Sequence, residues 1–280
     1  MKPMLAKKWN GKNINYPCYI QPKFNGLRAL WLPGKGLQSR DENFWTPGVL
    51  SHIEEGLELL KLPPGCEGLD GEIYRHGMSL QQINSRAAVM RKTAHPKGGE
   101  LQFMIFDTIS IEPFSVRAWH LEEILNQVDF IDSLAVAETL YCSSPEFADL
   151  CFNMWKMNGF EGLMYRAQDM PYGREEVCGN KENRWGCLLK RKSWEDLEGE
   201  VVDVFEGDDQ WENTMGGIVL KLDSGKLVKV GSGKLTLLER KKAWDMKDEL
   251  IGTTASIQFE CLSDGGIPLK PVILCLYGLH

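Results

Sequence analysis

The residues best suited to chemistry in this 280-residue chain are lysines. In QPKFNGLR (21–28), Lys23 is followed by Gly26 and Arg28, and in LLKRKSW (188–194) Lys190 and Lys192 alternate. A lysine amine attacks phosphorus only when unprotonated, and burial, neighbouring cations or a metal ion lower its pKa from the ordinary value of about 10.4. Arg28 and the Lys190/Lys192 pair are candidate sources of that positive charge, and Gly26 would let the backbone approach a nucleotide closely. Alternate lysines on a strand point to one side and repel unless an anion lies between them, which favours a phosphate clamp over a solvated edge strand. Taken alone, however, Asn25-Gly26 reads at least as well as a hairpin turn beside an exposed lysine.

Carboxylates and an aromatic ring recur between these lysines. GLDGEIY (68–74) places Asp70 and Glu72 on one face of a strand, able to receive a ribose hydroxyl or a metal ion, or else exposed acids in a turn before the strand. In FEGLMYR (160–166), Glu161 opens an apolar strand, where it can hold Mg²⁺ against a phosphate or stand as a solvated loop carboxylate. Phe106, in FMIFDTI, is either a stacking surface for a base or a core aromatic.

These residues need a frame, and the pattern supplies one. TPGVLSHIEEGLELLKLPPG carries a capping box, Ser51 with Glu54, then Ile53, Leu57 and Leu60 at helical spacing, and Pro63-Pro64 stops it. Ser79 and Gln82 open a second helix in the same way, and Ser144 before Pro145 opens a third that ends at Gly159. LQFMIFDTI and GLMYR read as buried strands. After Trp194 the character changes to strands: EGEVVDVFEG, GGIVLKLDSGKLVKVGSG and TASIQFECL, with DSGK as a hairpin turn between Ile218–Leu222 and Leu227–Val230. One helix, capped by Thr236 and Glu239, runs to Gly252 among them. Short strands plus one helix in so small a segment predict a Greek-key barrel such as an OB-fold. The expected division is residues 1–194 and 195–280, with the boundary near residue 195.

Composition narrows the class. Hydrophobic residues make up 43% and charged residues 25%, as in an average soluble protein. No apolar run is long enough to span a bilayer, and the start lacks a secretory signal, so a cytosolic protein without membrane contact is expected. None of the eight cysteines lies within four residues of another, and the five histidines show no metal-ligand spacing, which predicts reduced thiols and no zinc site. Net charge is −7, against blanket binding of nucleic acid, yet KENRWGCLLKRK (181–192) gathers Lys181, Arg184, Lys190, Arg191 and Lys192 against the single acid Glu182.

Taken in order, the segments resemble the motifs of the ATP-dependent polynucleotide (DNA) ligases of the covalent nucleotidyltransferase superfamily. KFNGLR is similar to motif I, LDGEIY to motif III, FMIFD to motif IIIa, EGLMY to motif IV and LLKRK to motif V, with weaker likenesses at MLA (4–6) and at Ser39-Arg40. Each string is common; five in order are specific, and the resemblance covers nearly the whole chain. It implies an α+β chain: a nucleotidyltransferase (adenylation) domain of antiparallel sheets with helices, followed by a small all-β OB-fold barrel.

The resemblance also implies roles. Lys23 would attack the α-phosphorus of ATP and carry AMP as a phosphoramidate. Gln21 could accept a hydrogen bond from the adenine amino group, Phe106 would stack on adenine, and Glu72 would contact the ribose. Glu161, with Glu72, would bind Mg²⁺ or Mn²⁺, Lys190 and Lys192 would neutralise the α-phosphate, and Arg28 and Arg40 would hold phosphate or the 5′ end of a nick. The implied partner is nicked duplex DNA and the implied form a monomer. The host would be bacterial or virus-infected.

Two departures stand out. Asn25 occupies the place of motif I's usual Asp, which predicts slower strand sealing. The basic motif VI that ends the barrel in the family has no counterpart in KPVILCLYGLH, where Tyr277 stands near an expected arginine; Lys234 or Lys270 could substitute. About twenty residues precede Lys23 and no zinc pattern occurs, which favours ATP over NAD. An RNA ligase would usually lack the barrel; a capping guanylyltransferase would share it. A catalytically impaired end-binding relative fits the missing motif VI and is opposed by the retained Lys23, Glu161 and Lys190. With no long excursion in the barrel, a basic groove between the domains is the expected DNA site.

Overall fold

The structure, a computed structural model, describes residues 1–173 and 184–279, without the side chains of 184–186. Cys178, Lys181 and Glu182 therefore lie outside the described residues, as does the side chain of Arg184. The chain forms two compact units, Met1–Lys192 and Ser193–His280. Among the described residues no helix is long and apolar enough to cross a membrane.

The first unit has ten described strands: β1 (Leu5–Lys8), β2 (Cys18–Lys23), β3 (Leu27–Leu32), β4 (Gly36–Ser39), β5 (Leu69–Tyr74), β6 (Gln102–Thr108), β7 (Leu134–Val136), β8 (Leu140–Cys142), β9 (Gly162–Ala167) and β10 (Arg184–Lys192). Its helices are α1 (Ser51–Glu58), α2 (Leu80–Ala87), α3 (Phe114–Val128) and α4 (Pro145–Met157). The strands form two five-stranded sheets, ordered β1-β10-β9-β2-β8 and β4-β3-β5-β6-β7. Each is antiparallel except at one edge, where β1 runs parallel to β10 and β7 parallel to β6. Helices α1, α2 and α3 pack on the second sheet and α4 on the first. A smaller apolar cluster, Met4, Leu30, Leu32, Ile109, Tyr172 and Leu188, draws on both sheets.

The local signals explain most of these elements. Ser79 and Gln82 cap α2 reciprocally, and Ser144 accepts from the Phe147 amide ahead of Pro145 at the start of α4. α1 differs from expectation: Leu50 is its N-cap, no side chain caps it, and Ser51 is already its first helical residue. The chain turns one residue earlier than the capping box requires, through the Val49 amide bonded to the Thr46 carbonyl. β2 and β3 do not form a hairpin through Asn25-Gly26. β2 pairs with β8 and β9, β3 with β4 and β5, and the segment between them crosses from one sheet to the other.

The second unit comprises β11 (Glu195–Glu206), β12 (Met215–Lys221), β13 (Leu227–Gly231), α5 (Leu237–Asp245), α6 (Lys247–Leu250), β14 (Thr254–Phe259), β15 (Cys261–Leu262), β16 (Pro268–Leu269) and β17 (Val272–Leu276). Five strands close a barrel in the order β11-β12-β13-β17-β14, with β13 parallel to β17 and β14 bridging β11 and β17. This is the OB-fold arrangement, with the helices between the third and fourth barrel strands. Val201, Ile218, Leu220, Val230, Ala255, Ile257 and Ile273 fill its core. DSGK turns β12 into β13, and Thr236 and Glu239 cap α5. The expected single helix to Gly252 is instead two, divided at Met246.

Candidate active site

Lys23 ends β2, and Glu161 immediately precedes β9, the neighbouring strand. The Glu161 amide donates to the Lys23 carbonyl at 2.9 Å, which fixes the two backbones side by side. The Lys23 ammonium pairs with Glu161 Oε2 and donates to the Phe24 carbonyl at 3.1 Å. Lys192 Nζ lies 2.5 Å from the other oxygen, Glu161 Oε1. One carboxylate thus bridges two ammonium groups on adjacent strands. Gly162 permits it: a Cβ there would stand 2.1 Å from the Arg191 carbonyl oxygen, so only glycine lets β9 approach β10 this closely. Alternation along β10 turns Arg191 the other way, onto Asp149 of α4 and over the rings of Trp9 and Phe152 at 4.7 and 4.0 Å.

Lys23 lines a cavity of about 180 Å³ with Gln21, Arg28, Arg40, Glu72, Phe106, Met164, Arg166 and Lys190 among its walls. Glu161 and Lys192 join it through their contacts with Lys23 and with each other. Lys23, Gln21, Arg28, Arg40, Glu72, Phe106, Glu161, Lys190 and Lys192, nine of the residues singled out from the sequence, therefore converge on one place in the first unit. Arg166 and Met164, two apart on β9, are wall residues that local reasoning passed over; their alternation within GLMYR was the available signal.

Gly26 makes room for a close approach within the protein itself. Its ideal Cβ would meet the Ile73 carbonyl oxygen at 2.4 Å and Glu72 Cγ at 2.8 Å, and its amide donates to Glu72 Oε1 at 2.9 Å. The glycine is what lets the crossing segment lie against β5 and orient Glu72. Burial pushes the Glu72 carboxyl above its ordinary pKa, opposed by the positive charges of Lys23 and Arg28.

Beneath the cavity the charges are paired. Arg28 Nε and Nη2 hold Asp70 at 2.6 and 2.5 Å, and Tyr172 donates to the same carboxylate at 2.6 Å. Asp70 is thus a buried fork partner, not an exposed turn acid. Burial works against the Arg28 charge, but Asp70 more than offsets this and the guanidinium stays protonated. Arg28 also lies over the Phe106 ring, 4.5 Å from its centroid. Arg40, by contrast, is exposed and makes no ion pair or side-chain hydrogen bond among the described residues.

A second buried network supports Gln21. Arg166 Nε donates to Gln21 Oε1 at 2.5 Å, and Arg166 Nη1 reaches Asp107 Oδ2 at 2.5 Å. Asp107 also accepts from Arg117 Nε at 2.7 Å and from the Thr108 amide at 2.9 Å. Burial alone would raise the Asp107 pKa; Arg117 and Arg166 outweigh it and hold the carboxyl below the ordinary range.

In the barrel, the Tyr277 hydroxyl donates to Glu198 Oε1 at 2.6 Å, and Lys270 pairs with Glu260 at 2.9 Å.

No protein-family profile and no curated protein matches the sequence. Solved structures do match the fold. A Lig E DNA ligase, studied for DNA binding with a minimal scaffold, aligns with a TM-score of 0.77 at 22% identity, over 98% of this chain and 98% of that one. The Chlorella virus DNA ligase-adenylate gives 0.52 at 23% identity, over 99% and 98% of the two chains. The bacteriophage T7 ATP-dependent DNA ligase, in complex with ATP, gives 0.53 at 13% identity over 98% of each. The chain is built on the fold of the ATP-dependent DNA ligases, a nucleotidyltransferase unit and an OB barrel in sequence order.

Proposed function

We propose that this protein is an ATP-dependent DNA ligase that seals nicks between a 5′-phosphate and a 3′-hydroxyl, with Lys23 carrying AMP. The observation that carries the reading is the Glu161 carboxylate shared by Lys23 and Lys192 at the wall of a cation-rich cavity. A lysine held by a carboxylate beside further lysines is arranged to meet a polyphosphate, and the fold is one in which ATP-dependent DNA ligases are built.

In the first step Lys23 Nζ, as free amine, attacks the α-phosphorus. The N–P bond forms, the bond to the bridging oxygen breaks, and pyrophosphate leaves. Lys190 and Lys192 offset the charge that builds on the α-phosphate oxygens. Phe106 offers a ring to the base and Glu72 a carboxylate to the ribose. In the second step an oxygen of the DNA 5′-phosphate attacks the same phosphorus and Lys23 is released. In the third, the 3′-hydroxyl attacks the 5′-phosphate, loses its proton and expels AMP. Arg40, unpaired at the cavity, is the cation best placed to take a DNA phosphate; Arg28 contributes its charge while its fork stays on Asp70.

The residues fit a divalent ion of the Mg²⁺ type held chiefly by phosphates. Among the described residues no three His, Cys, Asp or Glu side chains form a metal cage, whereas Glu161 and Glu72 supply one or two carboxylates, the usual protein share for Mg²⁺. When bound with the nucleotide, the ion supplies positive charge that favours the free amine of Lys23. The partner is a nicked duplex and the working form a monomer in a reducing cytoplasm.

Incubation with α-labelled ATP and Mg²⁺ tests the reading. An acid-labile label on the protein, absent in Lys23→Ala, is the expected result; no label from either ATP or GTP would overturn it.

A further inference from the structure

The Gln21 carboxamide has one orientation open to it. Its Nε2 donates to the Phe106 carbonyl at 2.9 Å and to Thr139 Oγ1 at 2.8 Å. The Thr139 hydroxyl itself donates to the Ala137 carbonyl at 3.0 Å, so toward Gln21 it can only accept. Arg166 Nε donates to Gln21 Oε1 at 2.5 Å, and a guanidinium has no acceptor. A flipped amide would set N–H against N–H at Arg166 and oxygen against oxygen at Phe106 and Thr139, losing all three bonds. Arg166 cannot turn away to relieve this, because Asp107 holds its Nη1 and is itself held by Arg117. Every member of the chain from Gln21 to Arg117 is buried.

Both Nε2 hydrogens are therefore spent, and what Gln21, a wall residue of the cavity, still has to offer is the second lone pair of Oε1. An amide free to rotate would receive a ring carbonyl as readily as an amino group. A locked one accepts only.

We propose that Arg166 and Thr139 are positioning residues that set nucleotide choice: by locking Gln21 as an acceptor they make the cavity take a purine with an amino group at its 6-position and refuse one with a carbonyl there. The proposal rests on the nucleotidyl-transfer reading above and concerns which base that reaction accepts. A carbonyl oxygen placed against Oε1 would face an acceptor and leave its own hydrogen bond unmade, the kind of mismatch that discriminates more sharply than missing apolar contact.

The test compares labelling of Lys23 by ATP and by inosine triphosphate, which carries a carbonyl at the 6-position and no 2-amino group. The wild-type chain is expected to favour ATP by about 100-fold or more in kcat/KM. Thr139→Val keeps the side-chain shape at a half-buried position and frees one Nε2 hydrogen, and Arg166→Lys removes the planar fork. Each is expected to lower the ATP preference by about tenfold, the worth of one hydrogen bond, chiefly through KM for the two nucleotides. A merely structural role would slow both nucleotides alike and leave their ratio unchanged. Equal use of the two by the wild-type chain overturns the proposal. So does an unchanged ratio in Thr139→Val, which decides the matter even if Arg166→Lys fails to fold. Absence of any ATP label in the wild type would instead remove the ligase reading on which the proposal stands.

Discussion

Two clusters in the first unit, each with one carboxylate between two cations, are built differently. At the cavity wall, Lys23, Glu161 and Lys192 keep 19%, 16% and 15% of their side chains exposed, and one carboxylate serves two flexible ammonium groups. In the buried network Asp107 is fully enclosed and Arg166 and Arg117 keep 4% and 2% of their side chains exposed, in rigid guanidinium geometry. Ammonium groups on long stems can exchange a carboxylate for a phosphate without moving the backbone; guanidiniums fixed by several bonds each cannot. The first cluster is suited to change partners during a reaction and the second to hold the wall against which the reaction runs.

Removing the central carboxylate of each cluster should separate those roles. Asp107→Ala leaves two buried guanidiniums uncompensated and is expected to cost about 3–5 kcal/mol of stability in chemical denaturation. Glu161→Gln keeps the shape at a site with access to water, and its stability loss should stay below about 1 kcal/mol. Adduct formation at Lys23 should nonetheless fall by about 100-fold or more, because the ammonium pair loses its shared anion. Equal stability losses in the two variants would break the distinction.

The same contrast governs what the sequence could reveal. Glu72, Lys190 and Lys192 were legible from strand alternation, whereas Lys23 and Glu161, ambiguous in their own segments, became legible only through the order of the motifs along the chain. Arg166 was not, because its partners Gln21 and Asp107 lie 145 and 59 positions away and meet it only after the sheets form. Helix α3 escaped for a related reason. Phe114, Ala118, Leu121, Ile124 and Val128 have helical spacing, but Arg117 and His120 share their buried face and spoil the apolar pattern. The buried arginine makes sense only once Asp107 is opposite it. Asn25-Gly26 misled in the opposite sense: the dipeptide fits a hairpin turn, yet the strands on either side find partners in different sheets.

Proton linkage offers a second contrast, between Asp107 of the buried network and Glu72 of the cavity wall, whose carboxyls shift in opposite directions. Asp107 has a depressed folded pKa, so its contribution is present above the unfolded value of about 3.9 and is lost as pH falls through the folded one. Glu72 has a raised folded pKa, so the folded state favours its protonated form. Its contribution is present below the unfolded value of about 4.3 and is lost as pH rises through the folded pKa. Glu72→Gln, which can keep the bond from the Gly26 amide, should therefore stabilise the chain relative to wild type. The gain should grow from about pH 4.3 upward, by at most about 1.4 kcal/mol per pH unit, and then level off. Denaturation curves for the two proteins across that range measure it; a gain independent of pH would mean that ionisation of Glu72 is not its source.

The smallest expected effect lies between the clusters, at Asn25. It sits in the segment that carries the chain from the strand of Lys23 to the strand of Arg28, and its side chain makes no hydrogen bond or ion pair among the described residues. Changing it should leave the fold nearly untouched, within about 0.5 kcal/mol. Asn and Asp share a shape, but only Asp adds a charge that can strengthen a hydrogen bond to a ribose hydroxyl or orient a cation, at the cost of attraction toward the neighbouring lysine cluster. The sealing step, in which that cluster has already released AMP to DNA, should gain more than the first step loses. Asn25→Asp is thus expected to speed the sealing of a pre-adenylated nick about three- to tenfold, measured in a single turnover. An unchanged rate would place Asn25 with the buried network, as part of the wall, and not with the groups that exchange partners.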